Sequence, residues 1–345
     1  MTIAIDAMGG DHAPRVNVEG AVAAAVDFGL STLLVGKRRE LESELHRTGY
    51  TGRKIEIVEA EEVVRFDEPA ITPIRKKKRA SIRIAAECVR EGRADGMFTA
   101  GHTGAGMVVA KMIMGVIEGI ERPALSTILP GLGQKRLLLD VGANVSCRPE
   151  HYREFALMGH FYAETVMGIS RPRIGLMSVG EEEGKGTDTT REVFQILKDS
   201  GLNFIGNVEG RDVYGGAVDV IVTDGFTGNV ILKVSESLAH LVEEALKQEI
   251  TRSLQASMGF LLAKDAFRAF KRRLDYSEYG GAPLLGVRGA CLIGHGRSNA
   301  KAVRNAVKAA HEFASHGIPE KIRARALQFA PVPLTSPAGP RPGGV

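Results

Sequence analysis

The sequence predicts an α/β fold in three layers, with a mostly parallel sheet between two sets of helices. Three observations carry this prediction. Short apolar runs end in glycine or an acidic residue, helix-like segments separate them, and the runs are apolar at nearly every position. Strands alternating with helices mark parallel α/β architecture. Unbroken apolar strands fit a sheet buried on both faces.

The runs, in order, are TIAID (2–6), STLLVG (31–36), KIEIVEA (54–60), GMFTAG (96–101), RLLLDVG (136–142), RIGLMSVG (173–180) and VDVIVTDG (218–225). Between them lie helix-like stretches such as VNVEGAVAAAVDFG, ASIRIAAECVREG and HYREFALMGHFYAETVMG, and VILKVSESLAHLVEEAL follows the last run. Next comes RSLQASMGFLLAKDAFRAFKRRL (252–274). Its Leu254, Met258, Leu261, Leu262, Phe267, Phe270 and Leu274 recur at steps near three or four, and Arg252, Lys264, Arg268, Lys271, Arg272 and Arg273 supply a polar side. Two readings are open for it: an internal core helix, or a basic amphipathic helix lying in a membrane interface. Gly259 is the expected break, with GFLL at the tip. One domain is expected over residues 1–330, with a helical protrusion at about 236–278. Residues 331–345, PVPLTSPAGPRPGGV, hold five prolines and three glycines and are expected to be a disordered tail.

Composition narrows the class. Charged residues make up 25% and hydrophobic ones 44% of 345, the balance of a soluble globular protein. No run approaches the roughly 18 apolar residues that span a bilayer. MTIAIDAMGGD lacks the features of a secretory signal. Cys88, Cys147 and Cys291 are odd in number and far apart, against a disulfide framework or zinc site. A cytoplasmic location is expected. There is no G-x-G-x-x-G in the first strand–helix unit, no P-loop and no H-E-x-x-H, and the nine histidines show no ligand spacing. Neither a metal nor a cofactor is expected. Residues 74–83, IRKKKRASIR, pack six cations into ten positions on a chain of net charge +4. Such a run is ordinarily a solvated surface, and without interleaved aromatics it does not predict nucleic acid.

The unusual chemistry gathers where the runs end, in DAMGGDHAP (6–14), TAGHTGAG (99–106), LDVGANVSC (139–147), SVGEEEGKG (178–186) and TDGFTGN (223–229). Ligands of parallel sheets sit beyond the carboxyl ends of the strands, and glycine turns that open helices offer N–H groups to anions. One cleft shared by the five turns, holding phosphate or another polyanion, is the expectation.

Read together, DAMGGDHAP, AGHTGA, ERPAL, LDVGANVSC, GEEEGKG, GNVEGRD, TDGFTGNVILK, YGGAPLLGV and HG (295–296) resemble the phosphate acyltransferase family, over about residues 3–313. The resemblance implies an enzyme that makes acyl phosphate from acyl-acyl-carrier protein and inorganic phosphate for phospholipid synthesis. It also implies a fold like those of isopropylmalate dehydrogenase and phosphotransacetylase, with a protruding amphipathic helical hairpin, and a homodimer. Peripheral contact with the anionic inner face of the cell membrane would follow, with delivery to the membrane acyltransferase that loads glycerol 3-phosphate. Three positions depart from the family pattern: His102 and Ser178 stand for asparagine, and Ser237 for glycine.

Attack of phosphate on a thioester needs a held anion and donors aimed at the developing oxyanion. Lys185, in EEEGKG, is the first candidate, as a cation for phosphate or the leaving sulfur or as a solvated partner of Glu181 to Glu183. Asn229 offers an amide N–H to the oxyanion, Asp224 fixes its turn or a cation, and Gly225 and Gly228 leave the backbone bare. Asp6, Gly9 and Gly10 form the first turn, Asp6 orienting backbone or a cation such as Arg211. His102, Thr103 and Gly104 are candidate phosphate contacts, and Asn144 is a turn-fixing amide or a direct contact. His295 serves acid–base work or caps the following helix. Cys147 is a nucleophile or a buried apolar filler. Phe260, Leu261, Leu262 and Phe267 are the expected membrane contacts. Arg75, Lys76, Lys77, Lys78 and Arg79 are the expected docking face for the acidic carrier protein.

Overall fold

Each apolar run becomes a strand, and four more strands complete the sheet in this computed structural model, which describes residues 1–131, 134–274 and 280–329. The strands are β1 (Thr2–Asp6), β2 (Ser31–Gly36), β3 (Ile55–Glu59), β4 (Gly96–Thr99), β5 (Ala124–Leu129), β6 (Arg136–Leu139), β7 (Ile174–Met177), β8 (Phe204–Val208), β9 (Val220–Val222), β10 (Ala282–Leu285) and β11 (Ala290–Ile293). The helices of the first half are α1 (Arg15–Phe28), α2 (Arg38–Thr48), α3 (Thr72–Arg75), α4 (Ser81–Arg90), α5 (Thr103–Val109, continued by a π-helical turn Ala110–Met114) and α6 (Pro149–Thr165). Those of the second half are α7 (Asp188–Lys198), α8 (Asp212–Gly215), α9 (Gly225–Thr251), α10 (Leu254–Leu262), α11 (Lys264–Leu274), α12 (Ala300–Ser315) and α13 (Ile318–Phe329). The expected tail, 331–345, and the end of the expected protrusion, 275–278, lie outside the described residues, as does Ala330.

All eleven strands join one sheet, in the order β3-β2-β1-β4-β11-β10-β5-β6-β9-β7-β8. The central strands β1, β4, β6 and β9 are buried almost throughout, which is why their sequences do not alternate. Two apolar layers cover the faces. One draws on Val18, Ala21 and Ala24 of α1, Phe155 of α6, Val193 of α7, Val303 and Ala306 of α12, and Ile322 of α13. The other draws on Ile82 and Ala85 of α4, Val109 of α5 and Val213 of α8. Three layers result.

The sheet is not uniformly parallel. Neighbours from β3 through β11 are parallel, and so are those from β6 through β8, but β10 is antiparallel to both β11 and β5, and β5 to β6. Three reversals leave the two parallel blocks pointing in opposite directions. In register, Ile293 at the end of β11 stands beside Ala282 at the start of β10. Leu139, at the end of β6, stands beside Ser126 near the start of β5, and the start of β5 meets the end of β10. The five glycine turns therefore leave the sheet at its two opposite edges rather than at one, which corrects the expectation of a single strand-end cleft.

The protrusion also differs from expectation in detail. α9 runs for 27 residues and buries only Gly225 and Gly228. Ser253 caps α10 by accepting from Ala256 N (3.1 Å). Gly259 lies inside α10, and the break falls at Ala263, because an exposed glycine weakens a helix without ending it. Leu261 is 65% and Leu262 92% exposed, so the internal-core reading fails for them. Phe260 is half-buried against Phe267, with ring centroids 5.0 Å apart. The side chains of Leu254 and of 271–274 lie outside the described residues.

Candidate active site

One edge of the sheet gathers the turns after β6, β9, β7 and β8, which are neighbours in that order. The turn after β6 is built on Asp140, a fully buried residue. Its carboxylate accepts from the backbone N of Leu125 (3.2 Å), Gly142 (3.2 Å), Ala143 (2.8 Å) and Asn144 (2.7 Å), and from Asn144 Nδ2 (2.8 Å). Burial pushes this carboxyl above its ordinary value, against the pull of these donors. Asn144 Nδ2 also donates to the Pro123 carbonyl (2.8 Å). Asn144 is thus the turn-fixing amide of its two readings.

α9 starts against this turn. Asp224 is its N-cap: its carboxylate accepts from Thr227 N (2.8 Å) and Thr227 Oγ1 (3.0 Å), and Tyr152 Oη donates to it at 3.4 Å. Gly225 N donates to the Asn144 carbonyl (2.8 Å). A side chain on Gly228 would collide with the Asp140 carbonyl oxygen; the bare backbone lets the first turn of α9 lie on the β6 turn. Asn229 is exposed one residue on, and a Cβ on Gly142 would lie 3.9 Å from its Cγ. Cys147 Sγ donates to the Asn144 carbonyl (3.3 Å). Burial, with the charges of Asp140 and Asp224, pushes its thiol up to about 12. A raised thiol that already donates to a carbonyl favours the filler reading over the nucleophile.

Lys185 stands in the turn after β7, next to β9. It is exposed, and among the described residues it makes no ion pair. Two of the three acids expected to neutralise it are engaged elsewhere: Glu181 pairs with Arg211, and Glu183 with Lys198 (3.4 Å) and Gln195. The Glu182 carbonyl accepts from Asn207 Nδ2 (2.9 Å). The stem of Lys185 lies over the loop, 3.0 Å from where a Cβ on Gly180 would stand.

The opposite edge carries the turns after β1, β4 and β11, also neighbours. Asp6 is buried and accepts from Thr99 Oγ1 (2.7 Å), which in turn accepts from Gly101 N (3.0 Å). Burial raises its carboxyl above the ordinary value. Arg211 belongs to the other edge, with Glu181 and Glu209 as its partners, so the expected pairing of Asp6 with Arg211 does not form. Gly9 packs against Gly101, and Gly10 takes φ +108°, a conformation that favours glycine. Asn17 Nδ2 ties the turn by donating to the carbonyls of Ala7 (3.0 Å) and Gly9 (2.9 Å). His102 is the N-cap of α5, its Nδ1 accepting from Ala105 N (3.2 Å), and Thr103 and Gly104 open that helix. His295 Nδ1 accepts from Arg297 N (3.2 Å). The helix after it is capped by Asn299, whose Oδ1 accepts from Ala302 N (2.9 Å), so the capping reading of His295 fails.

Of the basic run, Lys77 turns inward, donating to the Val63 carbonyl and to Glu68, both at 2.7 Å. Arg79 pairs with Glu61 (2.8 Å). Arg75, Lys76 and Lys78 are exposed and unpaired among the described residues. Among the described residues no group of three or more His, Cys, Asp or Glu side chains could hold a metal ion. No described helix is long and apolar enough to cross a membrane. Sequence reasoning passed over Asp140, Tyr152, Thr99 and Asn17. For Asp140 a signal existed: like Asp6 and Asp224, it is an acid that ends an apolar run.

The model of a family described as "Fatty acid synthesis protein" matches residues 1–321. The chain is 48% identical over 332 residues to the phosphate acyltransferase of Geotalea uraniireducens, covering 96% of each chain. It is 47% identical over 322 residues to that of Geobacter sulfurreducens, covering 93% of each. Among solved structures, a phosphotransacetylase from Streptococcus pyogenes aligns with TM-score 0.64 at 17% identity, covering 91% of this chain and 94% of that one. The EutD phosphotransacetylase from Staphylococcus aureus aligns with TM-score 0.59 at 13% identity, covering 91% and 94%. At such identity the likeness shows a shared fold.

Proposed function

The chain belongs to the fatty acid synthesis protein family, with curated relatives that are phosphate acyltransferases, and from this membership we propose that it transfers a fatty acyl group from acyl-acyl-carrier protein to inorganic phosphate. That it is an acyltransferase follows from its relatives; the donor and the mechanism are our reading. The observation that carries the mechanism is the placement of Lys185, which makes no ion pair among the described residues, and of Asn229 on turns from adjacent strands, β7 and β9.

A phosphate oxygen attacks the thioester carbon, the carbonyl becomes a tetrahedral oxyanion, and its collapse expels the thiolate of the carrier protein. No covalent enzyme intermediate is needed. Asn229 donates its amide N–H to the oxyanion. Lys185 holds the incoming phosphate or meets the departing sulfur. Asp224 acts through position: it caps the helix that presents Asn229. For His102, Thr103 and Gly104 we retain phosphate contact, and for His295 acid–base work. These residues leave the opposite ends of the strands, four to six strand spacings from β9 and β7, each about 4.8 Å. Contact therefore requires the sheet's twist or a second copy of the chain to carry that edge round to the acyl site. Arg75, Lys76 and Lys78, the unpaired part of the basic run, are assigned to docking of the acidic carrier protein. The acyl phosphate would then pass to a membrane acyltransferase for phospholipid synthesis. We place the protein in the cytoplasm, against the inner face of the membrane.

Purified protein is to be incubated with hexadecanoyl-acyl-carrier protein and phosphate. Acyl phosphate is expected, with turnover reduced on the order of 100-fold in both Lys185→Ala and Asn229→Ala and melting unchanged. Near-normal turnover in both variants would reject the assignment of the two residues. Absence of acyl phosphate with the unaltered protein would reject the reaction.

A further inference from the structure

We propose that Val145, Val179 and Phe226 seat the acyl chain of the donor and set the preference for chain length, an inference that rests on the acyltransferase reading above. Each is strongly exposed for an apolar residue: Val145 68%, Val179 82% and Phe226 63%. Single exposed apolar side chains are ordinary, but these three share one edge of the sheet. They follow β6, β7 and β9, and β9 lies between the other two.

Chain neighbours of the three are tied to the reacting groups. Val145 follows Asn144, and Phe226 follows Gly225, two residues joined by a 2.8 Å hydrogen bond. Val179 precedes Gly180, the residue on which the Lys185 stem lies. Asn229, over the β6 turn, is three residues beyond Phe226. Ligand sites combine a mostly apolar lining with a few placed polar groups, and this edge has both parts. The chemistry then selects the occupant. Of the three things that must converge on Asn229 and Lys185, phosphate is an anion and the carrier protein is acidic. Only the acyl chain gains by leaving water for a valine and phenylalanine surface.

The test is chain-length selectivity in the whole protein. Ratios of kcat/KM for hexadecanoyl- over butanoyl-acyl-carrier protein are measured for wild type, Phe226→Ala, Phe226→Leu and Val179→Ser, beside melting and mass in solution. For Phe226→Ala the ratio is expected to fall about tenfold or more, with Phe226→Leu restoring most of it and Val179→Ser showing a smaller fall. A ratio that stays at the wild-type value in Phe226→Ala overturns the proposal. So does a fall accompanied by loss of self-association, which would assign these side chains to a contact between copies of the chain. A wild-type protein that makes no acyl phosphate from either donor defeats the acyltransferase reading, and this inference with it.

Discussion

Three aspartates stand at or just past the ends of three strands, and their surroundings give them different tasks. Asp224 is partly open and caps a helix; Asp140 is enclosed by five N–H groups; Asp6 is enclosed with the Thr99 hydroxyl. Burial raises the folded-state value of Asp6 above the ordinary 3.8, so the folded protein holds that proton more firmly than the unfolded chain does. The resulting stabilisation is complete below about pH 4 and is lost as pH rises through the raised folded value. Asp6→Asn keeps the shape and removes the titration. Urea midpoints measured from pH 4 to pH 8 are expected to fall less with rising pH in the variant than in wild type. Parallel curves would mean that Asp6 does not titrate differently on folding. The same scale bears on His102, which stands where the resemblance implies an asparagine. An asparagine caps a helix with its amide oxygen, and His102 does so with Nδ1, so the acceptor survives the change.

At the scale of elements, the sequence was legible wherever a strand is apolar along its length. The seven runs all form strands, with ends within three residues of expectation or closer at most sites. The unread strands were β5, β8, β10 and β11. Two of them, β5 and β10, carry the reversals; strand direction is set by partners far along the chain, which a local pattern does not contain. For this reason the turns were legible as chemistry but their division between two edges was not. The protrusion was legible as a basic amphipathic hairpin but not in its break, since Gly259 stays helical. Exposure of Leu261 and Leu262 favours the interfacial reading. Replacing both with Glu is expected to release the protein from anionic vesicles while leaving melting and activity on soluble donor unchanged. Each leucine buried in lipid contributes roughly 1.5–3 kcal/mol, and acidic replacements also repel anionic headgroups. Vesicle co-sedimentation reads the result, and undiminished binding would sink the membrane assignment.

For the whole molecule, the long α9 leaves Val234, Leu238, Leu241 and Val242 exposed along one stripe, at the three- and four-residue steps of a helix face that packs on something. We propose that a second copy of the chain packs on this stripe, giving the homodimer that the family resemblance implies. Leu238→Asp is expected to shift the protein from dimer to monomer in sedimentation velocity; a persistent dimer would move the interface elsewhere. The sheet order has a further consequence, for synthesis at the ribosome. β4 and β5 are completed early in the chain, yet the strands that lie between them, β11 and β10, come only from residues 282–293. Until those residues emerge, the nascent chain carries two unpaired inner edges, a known route to aggregation. The two halves of the sheet are thus sewn together last, by a hairpin made when most of the chain is already outside, and closure waits on contacts of high sequence separation.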